Sequence, residues 1–371
     1  MSNRKLISLL ILEVIVAGVA LVIIVVAMWN QPLGPSLAQP ATVPAHGESS
    51  STPTVSPGNS ASESTSTPTP SSLISKIGDL IQSPTATIEP LCNGPSVMTV
   101  LLIGSDERQD DYLYGLADSI RIVRIDFTSP KVMLLDIPRD LWVEIPGISD
   151  HYGLTHGKLN QAYFFGNPGM GYYDGPGEGP GLLARTLELN FGLHVDRYLA
   201  MDMKTFVNLI DAVDGIDIHI DSMIDLNEGQ DGANPALVYE PGDYHLDGTQ
   251  ALQLARNRIP TIFQRARYQN MVLKALENKL LSPAMIPAWP EIISQFTHSV
   301  QTDLSPSDIS KLACIGLSLT KDNITTVAFP EDMFKNGSIY DPYRQVDTYI
   351  MEVDFSLIRE YLTDYRNGTW P

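Results

Sequence analysis

The stretch 101–143, LLIGSDERQDDYLYGLADSIRIVRIDFTSPKVMLLDIPRDLWV, decides the fold. An apolar run at 97–103 stops abruptly at Gly104-Ser105-Asp106-Glu107-Arg108. A second run, 119–127, alternates apolar and polar residues behind Asp118, and a third, 131–137, ends in Pro138-Arg139-Asp140. Short runs rich in Ile, Val and Leu read as strands. Each carries a charged residue where a sheet hands the chain to a loop, the place where a rigid scaffold presents chemistry. Asp106 and Asp118 suit a hard metal ion, and Arg108 and Arg139 suit an anion. The plainer reading of the same residues is turn aspartates and surface arginines.

Downstream, strand and helix patterns alternate. Residues 156–163 (HGKLNQAY) read as a loop, and 165–180 are rich in Gly and Pro. Residues 181–190, 205–213 and 247–258 have helical periodicity, with strands predicted at 197–202 and 216–220. The longest helical pattern is 264–281, with Val272, Leu273, Leu276 and Leu280 as its apolar stripe. The alternation predicts an α/β (α+β) fold in which helices flank a central mixed β-sheet.

Upstream, Arg4 and Lys5 precede an apolar run at 6–29 whose one charge is Glu13. It is long enough to cross about 30 Å of hydrocarbon and too long for the core of a cleaved leader. An uncleaved signal-anchor, a transmembrane helix, is therefore expected. Positive flanking charge keeps residues 1–5 in the cytoplasm and sends the rest outside. Residues 30–92 are crowded with Pro, Ser and Thr and read as a disordered, extended spacer. A head domain follows at 93–285, and 286–371 reads as an extension packed on the same core.

The formal net charge is −19, which argues against nucleic acid as the main partner. Against that acidity, Arg256, Arg258, Arg265 and Arg267 fall within about a dozen residues. Arg256 and Arg258 would sit well near a helix C-terminus for reasons of charge alone. The alternative is a guanidinium array for a phosphate or diphosphate, since Arg grips phosphate oxygens in pairs. Strand-end carboxylates strengthen that reading, because a diphosphate with Mg²⁺ needs both signs at one place. Cys92 and Cys314 match no zinc spacing, and the sequence leaves open whether they pair or stay as buried thiols. The histidines fall at no metal-ligand spacing.

The blocks GSDER (104–108), LADSIRIVRID (116–126), DIPRDLWVEIPG (136–147), HGKLNQAY (156–163), LIDAVDGIDI (209–218), LDGTQALQLARNR (246–258) and FQRARYQ (263–269) resemble, in order and spacing, the LytR-CpsA-Psr family. Members are membrane-anchored, outside-facing enzymes of bacterial walls that pass a glycopolymer from a polyprenyl-diphosphate carrier to peptidoglycan through a phosphodiester, with Mg²⁺. The resemblance implies that Asp106 and Asp118 hold the metal. It implies that Arg108, Arg139, Arg256, Arg258, Arg265 and Gln269 contact the diphosphate, with Asp118, Arg139 and Arg265 closest to the chemistry. An apolar pocket between sheet and helices would take the polyprenyl tail. The chain departs from the family pattern at Leu116 and Tyr268, where arginine is usual, and at Asp214, where the family has glycine; Arg267 lies beside Tyr268 as a possible substitute. A hydrolase on the same scaffold and a non-catalytic wall-binding or regulatory membrane protein are the competing expectations.

Overall fold

In the computed structural model, residues 28–37, 89–106, 115–151, 153–227, 234–257, 262–296 and 299–370 are described. The apolar run at 6–27, most of the Pro/Ser/Thr segment, Arg108 and Arg258 lie outside them. Among the described residues no helix is long and apolar enough to cross a membrane.

The quoted stretch forms a meander: β1 (Val97–Ser105), β2 (Ala117–Asp126) and β3 (Lys131–Asp136) pair antiparallel in sequence order. The short ribbon β4 (Trp142–Glu144) with β5 (His156–Lys158) follows, then the helices α1 (Leu159–Gly166) and α2 (Glu178–Phe191). They carry the chain across to β6 (Arg197–Asp202), which lies parallel to β1. Next come α3 (Met203–Ala212), β7 (Ile216–Ile220), the small pair β8 (Ile224–Asp225) and β9 (Val238–Tyr239), and β10 (Gly242–Leu246), antiparallel to β7. The helices α4 (Gly248–Arg256), α5 (Ile262–Leu280) and α6 (Trp289–Phe296) complete this part.

The last eighty residues finish the main sheet. β11 (Gln301–Thr302) adds antiparallel to β6, and after α7 (Pro306–Ser318) β12 (Ile324–Val327) adds parallel to β3. The six strands run β11-β6-β1-β2-β3-β12. A hairpin, β13 (Lys335–Asp341) with β14 (Val346–Glu352), and α8 (Phe355–Asn367) end the chain.

Period-two alternation sorts the sheet's side chains onto two faces. Leu101, Ile103, Ile120, Ile122, Leu135, Tyr198 and Ala200 face the main core, shared with α1, α2 and α8. The opposite face packs Met98, Val100, Val123 and Ile125 with Ile315 of α7. A third cluster joins β7 and β10 to α3, α4 and α5. Tyr365 of α8 is buried with its hydroxyl 2.9 Å from the Ile122 carbonyl and 2.8 Å from that of Met133; burial pushes this hydroxyl up, so it remains a donor.

Two local features differ from the sequence expectation. The HGKLNQAY block is strand and helix, not loop. Gln161 Oε1 accepts the Lys158 amide at 2.6 Å, and every α1 residue except Phe164 is buried. The helix start at Lys158 carries no Ser, Thr, Asp or Asn to announce it, so the entry was hidden. Residues 31–37, within the stretch read as spacer, lie against the end of β11: the Leu33 amide donates to the Leu304 carbonyl at 3.2 Å. Asp214, where the family has glycine, has φ +60 and Gly215 has φ +68. Asp tolerates the left-handed region, whereas a Cβ at 215 would sit 2.5 Å from His245 Nε2. Cys92 and Cys314, left open by the sequence, form a disulfide.

Candidate active site

A bulge in the β1–β2 ladder aims the central carboxylate. The register passes from Gly104↔Ser119 to Ser105↔Ala117, which leaves Asp118 unpaired in the ladder. Bulges re-aim side chains at sheet ends. The Asp118 carboxylate receives Arg139 Nη1 on one oxygen and Arg265 Nη2 on the other at 3.2 Å, and Arg265 also reaches the Asp118 carbonyl at 3.2 Å. Three residues remote in sequence thus meet in one ion-pair cluster.

Each arginine is held by its element. Arg139 sits in a short turn after β3 that is pinned on both sides. Its carbonyl accepts the Asn160 amide at 3.1 Å, and the neighbouring Asp140 carbonyl accepts Met351 at 3.0 Å. Asp140 also bridges side chains, taking Arg139 Nε at 3.3 Å and Lys158 Nζ at 2.9 Å. Arg265 lies buried in the first turns of α5, and Gln269 follows one turn later along the same side.

Beneath this cluster lies a cavity open to solvent at its mouth. Its floor is the second face of the sheet, with Leu102, Gly104, Leu199 and Met201. Its roof comes from α3, α4 and α5 through Phe206, Leu252, Val272 and Leu273. Asp118, Arg256, Arg265 and Gln269 stand among its lining. A second cleft shares Asp118, Ser119, Arg265 and Gln269 and adds Asp136, Arg139 and Asp140. A third hollow shares Leu102, Arg121 and Leu273 with the first cavity and continues under Leu276, Leu280, Trp289 and Ile293. Greasy space therefore extends along the sheet from a charged mouth.

Arg121 stands at the junction of the two apolar cavities. It is buried, 2.9 Å from Asp136, and donates to the side-chain Oδ1 of Asn270 at 2.7 Å. Burial pushes its guanidinium below the usual range against the pull of Asp136; burial likewise pushes the Asp136 carboxyl up, opposed by Arg121 and Arg265. With Asp136, Asp140, Lys158 and Asn270, Arg121 belongs to the site and was missed. Its place in an alternating strand marked it as surface, and the partners that bury it are far away in sequence.

The remaining expected residues divide. Arg256, at the last turn of α4, is exposed but lines the cavity. Asp106 is at the end of β1, where its Oδ1 accepts the Leu116 amide at 2.6 Å and so closes the base of the following connection. Arg108 and Arg258 fall outside the described residues. Arg267 lines the charged cleft with Arg139 and Arg265, where it is exposed and ion-paired with Glu331 at 2.6 Å. Tyr268 is turned into the cluster with Val272 and Leu276. Residue 268 therefore follows the side of α5 that packs with β7 and β10.

Among the described residues no group of three or more His, Cys, Asp or Glu side chains could cage a metal. Mg²⁺ does not require one, since it keeps waters and needs only one or two carboxylates beside phosphate oxygens. Asp106 and Asp118, at adjoining strand ends, meet that minimum, and each carboxylate has more lone pairs than its observed donors occupy.

Residues 71–352 match the model of the LytR_cpsA_psr family. The polyisoprenyl-teichoic acid–peptidoglycan teichoic acid transferase TagU of Oceanobacillus iheyensis is 32% identical over 245 residues, 65% of this chain and 69% of that protein. Regulatory protein MsrR of Staphylococcus aureus is 27% identical over 225 residues, 58% of this chain and 61% of the relative. Among solved structures, B. subtilis TagV superposes with a TM-score of 0.56 at 23% identity, covering 74% of this chain and 98% of TagV. TagT bound to LIIa-WTA gives 0.54 at 19%, covering 76% and 96%. These two likenesses show a shared fold.

Proposed function

From the premise that this chain belongs to the LytR-CpsA-Psr family, we propose that it is an extracytoplasmic phosphotransferase. It moves a glycopolymer from a polyprenyl-diphosphate carrier to peptidoglycan and leaves a phosphodiester. The observation that carries this reading is the junction at Asp118: a cluster of guanidinium and carboxylate groups at the mouth of a long apolar cavity. A polyprenyl diphosphate has that polarity, a charged head on a tail that water rejects. The residues 6–29 anchor the chain in the membrane, with the head outside.

In this reading the tail lies between the second face of the sheet and α5. The diphosphate meets Arg139, Arg265, Arg256 and Gln269, with Arg108 and Arg258 completing the array. A sugar hydroxyl of peptidoglycan attacks the phosphorus next to the glycan. The new P–O bond forms, the bond to polyprenyl phosphate breaks, and the hydroxyl proton passes to Asp118. Arg139 and Arg265 stabilise the charge that gathers on the transferring and leaving oxygens, the kind of term that dominates phosphoryl transfer. Asp106 and Asp118 would hold Mg²⁺, which would supply further neutralisation of the diphosphate. Lys158 and Asp140 orient Arg139 from behind.

The test is transfer by the full chain in detergent, with Mg²⁺ and a polyprenyl-diphosphate-linked glycan. Label attached to peptidoglycan is the expected product. Free glycan phosphate would make water the nucleophile and the protein a hydrolase. Full transfer by an Asp118→Asn, Arg139→Ala double variant would sink the assigned site.

A further inference from the structure

The anchor and the head are read from the sequence as separated by some sixty residues of spacer, yet residues 31–37 already lie on the head. The Leu33 amide donates to the Leu304 carbonyl at 3.2 Å, and the Tyr198 hydroxyl donates to the Pro35 carbonyl at 2.8 Å. The Leu37 amide donates to Asp303 Oδ2 at 3.3 Å, and its side chain packs against the main core. Gly34 is pressed so closely to the sheet edge that a Cβ there would stand 2.7 Å from the Thr302 carbonyl oxygen. Asp303 and Thr302 are themselves buried and tied to β6: Asp303 accepts the Tyr198 amide at 2.8 Å, and the Thr302 hydroxyl donates to the Tyr198 carbonyl. The other end of the segment is also fixed, since Leu91 donates to the Phe127 carbonyl at 2.8 Å and Cys92 is joined to Cys314. Residues 38–88 thus leave one body and return to it.

We infer that residues 31–37 are a strap that fastens the head at the membrane surface, so that these seven residues, and not the segment 38–88, set its distance from the bilayer. The inference rests on reading 6–29 as a membrane anchor. From Trp29 to Leu33 the chain spans at most about 14 Å. A flexible chain of sixty residues would hold a head at roughly 40 Å root-mean-square. Met28, Trp29 and Leu33 are 64%, 48% and 43% exposed, apolar side chains where the chain meets the lipid boundary. The register gives the head an orientation as well. Thr302 pairs with Leu199, so Leu304 lies toward the Arg197 end of β6, while Asp202 at the other end lines the charged mouth. The strap therefore grips the sheet away from the mouth, which is presented to the wall.

The experiment uses the full chain in phosphatidylglycerol/phosphatidylethanolamine vesicles. Flotation comes first: failure to float removes the anchor itself, a separate loss from failure of the strap. A donor dye on Glu360→Cys, an exposed α8 position, and an acceptor on lipid headgroups then report separation. Inserting thirty Gly/Ser residues within 38–88 is expected to leave energy transfer unchanged. In a Gly34→Val background the same insertion lowers it at least twofold. A fall on insertion in the otherwise native chain overturns the inference. Hydrogen exchange gives a second readout in both chains. The Leu33 and Leu37 amides are expected to be protected in the native chain and to exchange freely after Gly34→Val, with the β1 and β2 amides unchanged. Unprotected Leu33 and Leu37 amides in the native chain overturn it equally.

Discussion

Asp118 owes its position to one extra residue in a strand, and two guanidiniums depend on it. Replacing it with alanine removes the carboxylate that Arg139 and Arg265 share. The expected cost in stability is roughly 1.5–3 kcal/mol, the scale of a charged hydrogen bond, read from the denaturation midpoint. Arg139→Lys keeps the charge but loses the fork that spans Asp118 and Asp140. Transfer should fall about a hundredfold while the melting temperature stays close to native. His219 pairs across strands with Asp243 at 2.6 Å, and that hydrogen bond holds its imidazole above the ordinary value of 6.5. A raised folded value means the contact stabilises below the unfolded pKa and is lost as pH rises through the folded one. An NMR titration should show the His219 midpoint fall toward 6.5 in Asp243→Asn.

The elements that carry the site were legible to different degrees. Strands β6 and β7 were readable to the residue: β7 alternates between core and solvent, and β6 is a short, mostly apolar run closed by Asp202. Asp118 and Arg139 stood out as charges at the ends of apolar runs, and Arg265 as one of a dense cluster of arginines. Arg121 and Asp136 did not, because a buried ion pair looks in sequence like two polar positions on an exposed face. The two-residue β11 was equally invisible, being too short for any period to register. Helix α5 shows how one element serves two environments: Leu273 faces the cavities while Tyr268 and Ala275 join the cluster with β7 and β10. Leu273→Trp should therefore fill the space without disturbing that cluster. Affinity for a polyprenyl diphosphate is expected to drop about tenfold or more, by calorimetry, with little change in melting temperature.

At the scale of the whole molecule, the sheet is complete only when its two edges arrive from the last eighty residues. A chain ending near residue 285 would lack β11, β12 and α8, and would expose Tyr198, Leu135 and Ile122 along one core. Such a truncation is expected to be insoluble or to lose near-ultraviolet circular dichroism. The Cys92–Cys314 bond joins the beginning of this body to its closing part. Replacing both with serine should lower stability by about 2–4 kcal/mol in a denaturant titration. The same bond has a consequence for how the protein ages outside a cell. A protease that nicks the backbone anywhere between those two cysteines produces two polypeptides that still travel as one. Damage of that kind escapes notice on a non-reducing gel, and the severed halves stay in register until a thiol sets them apart.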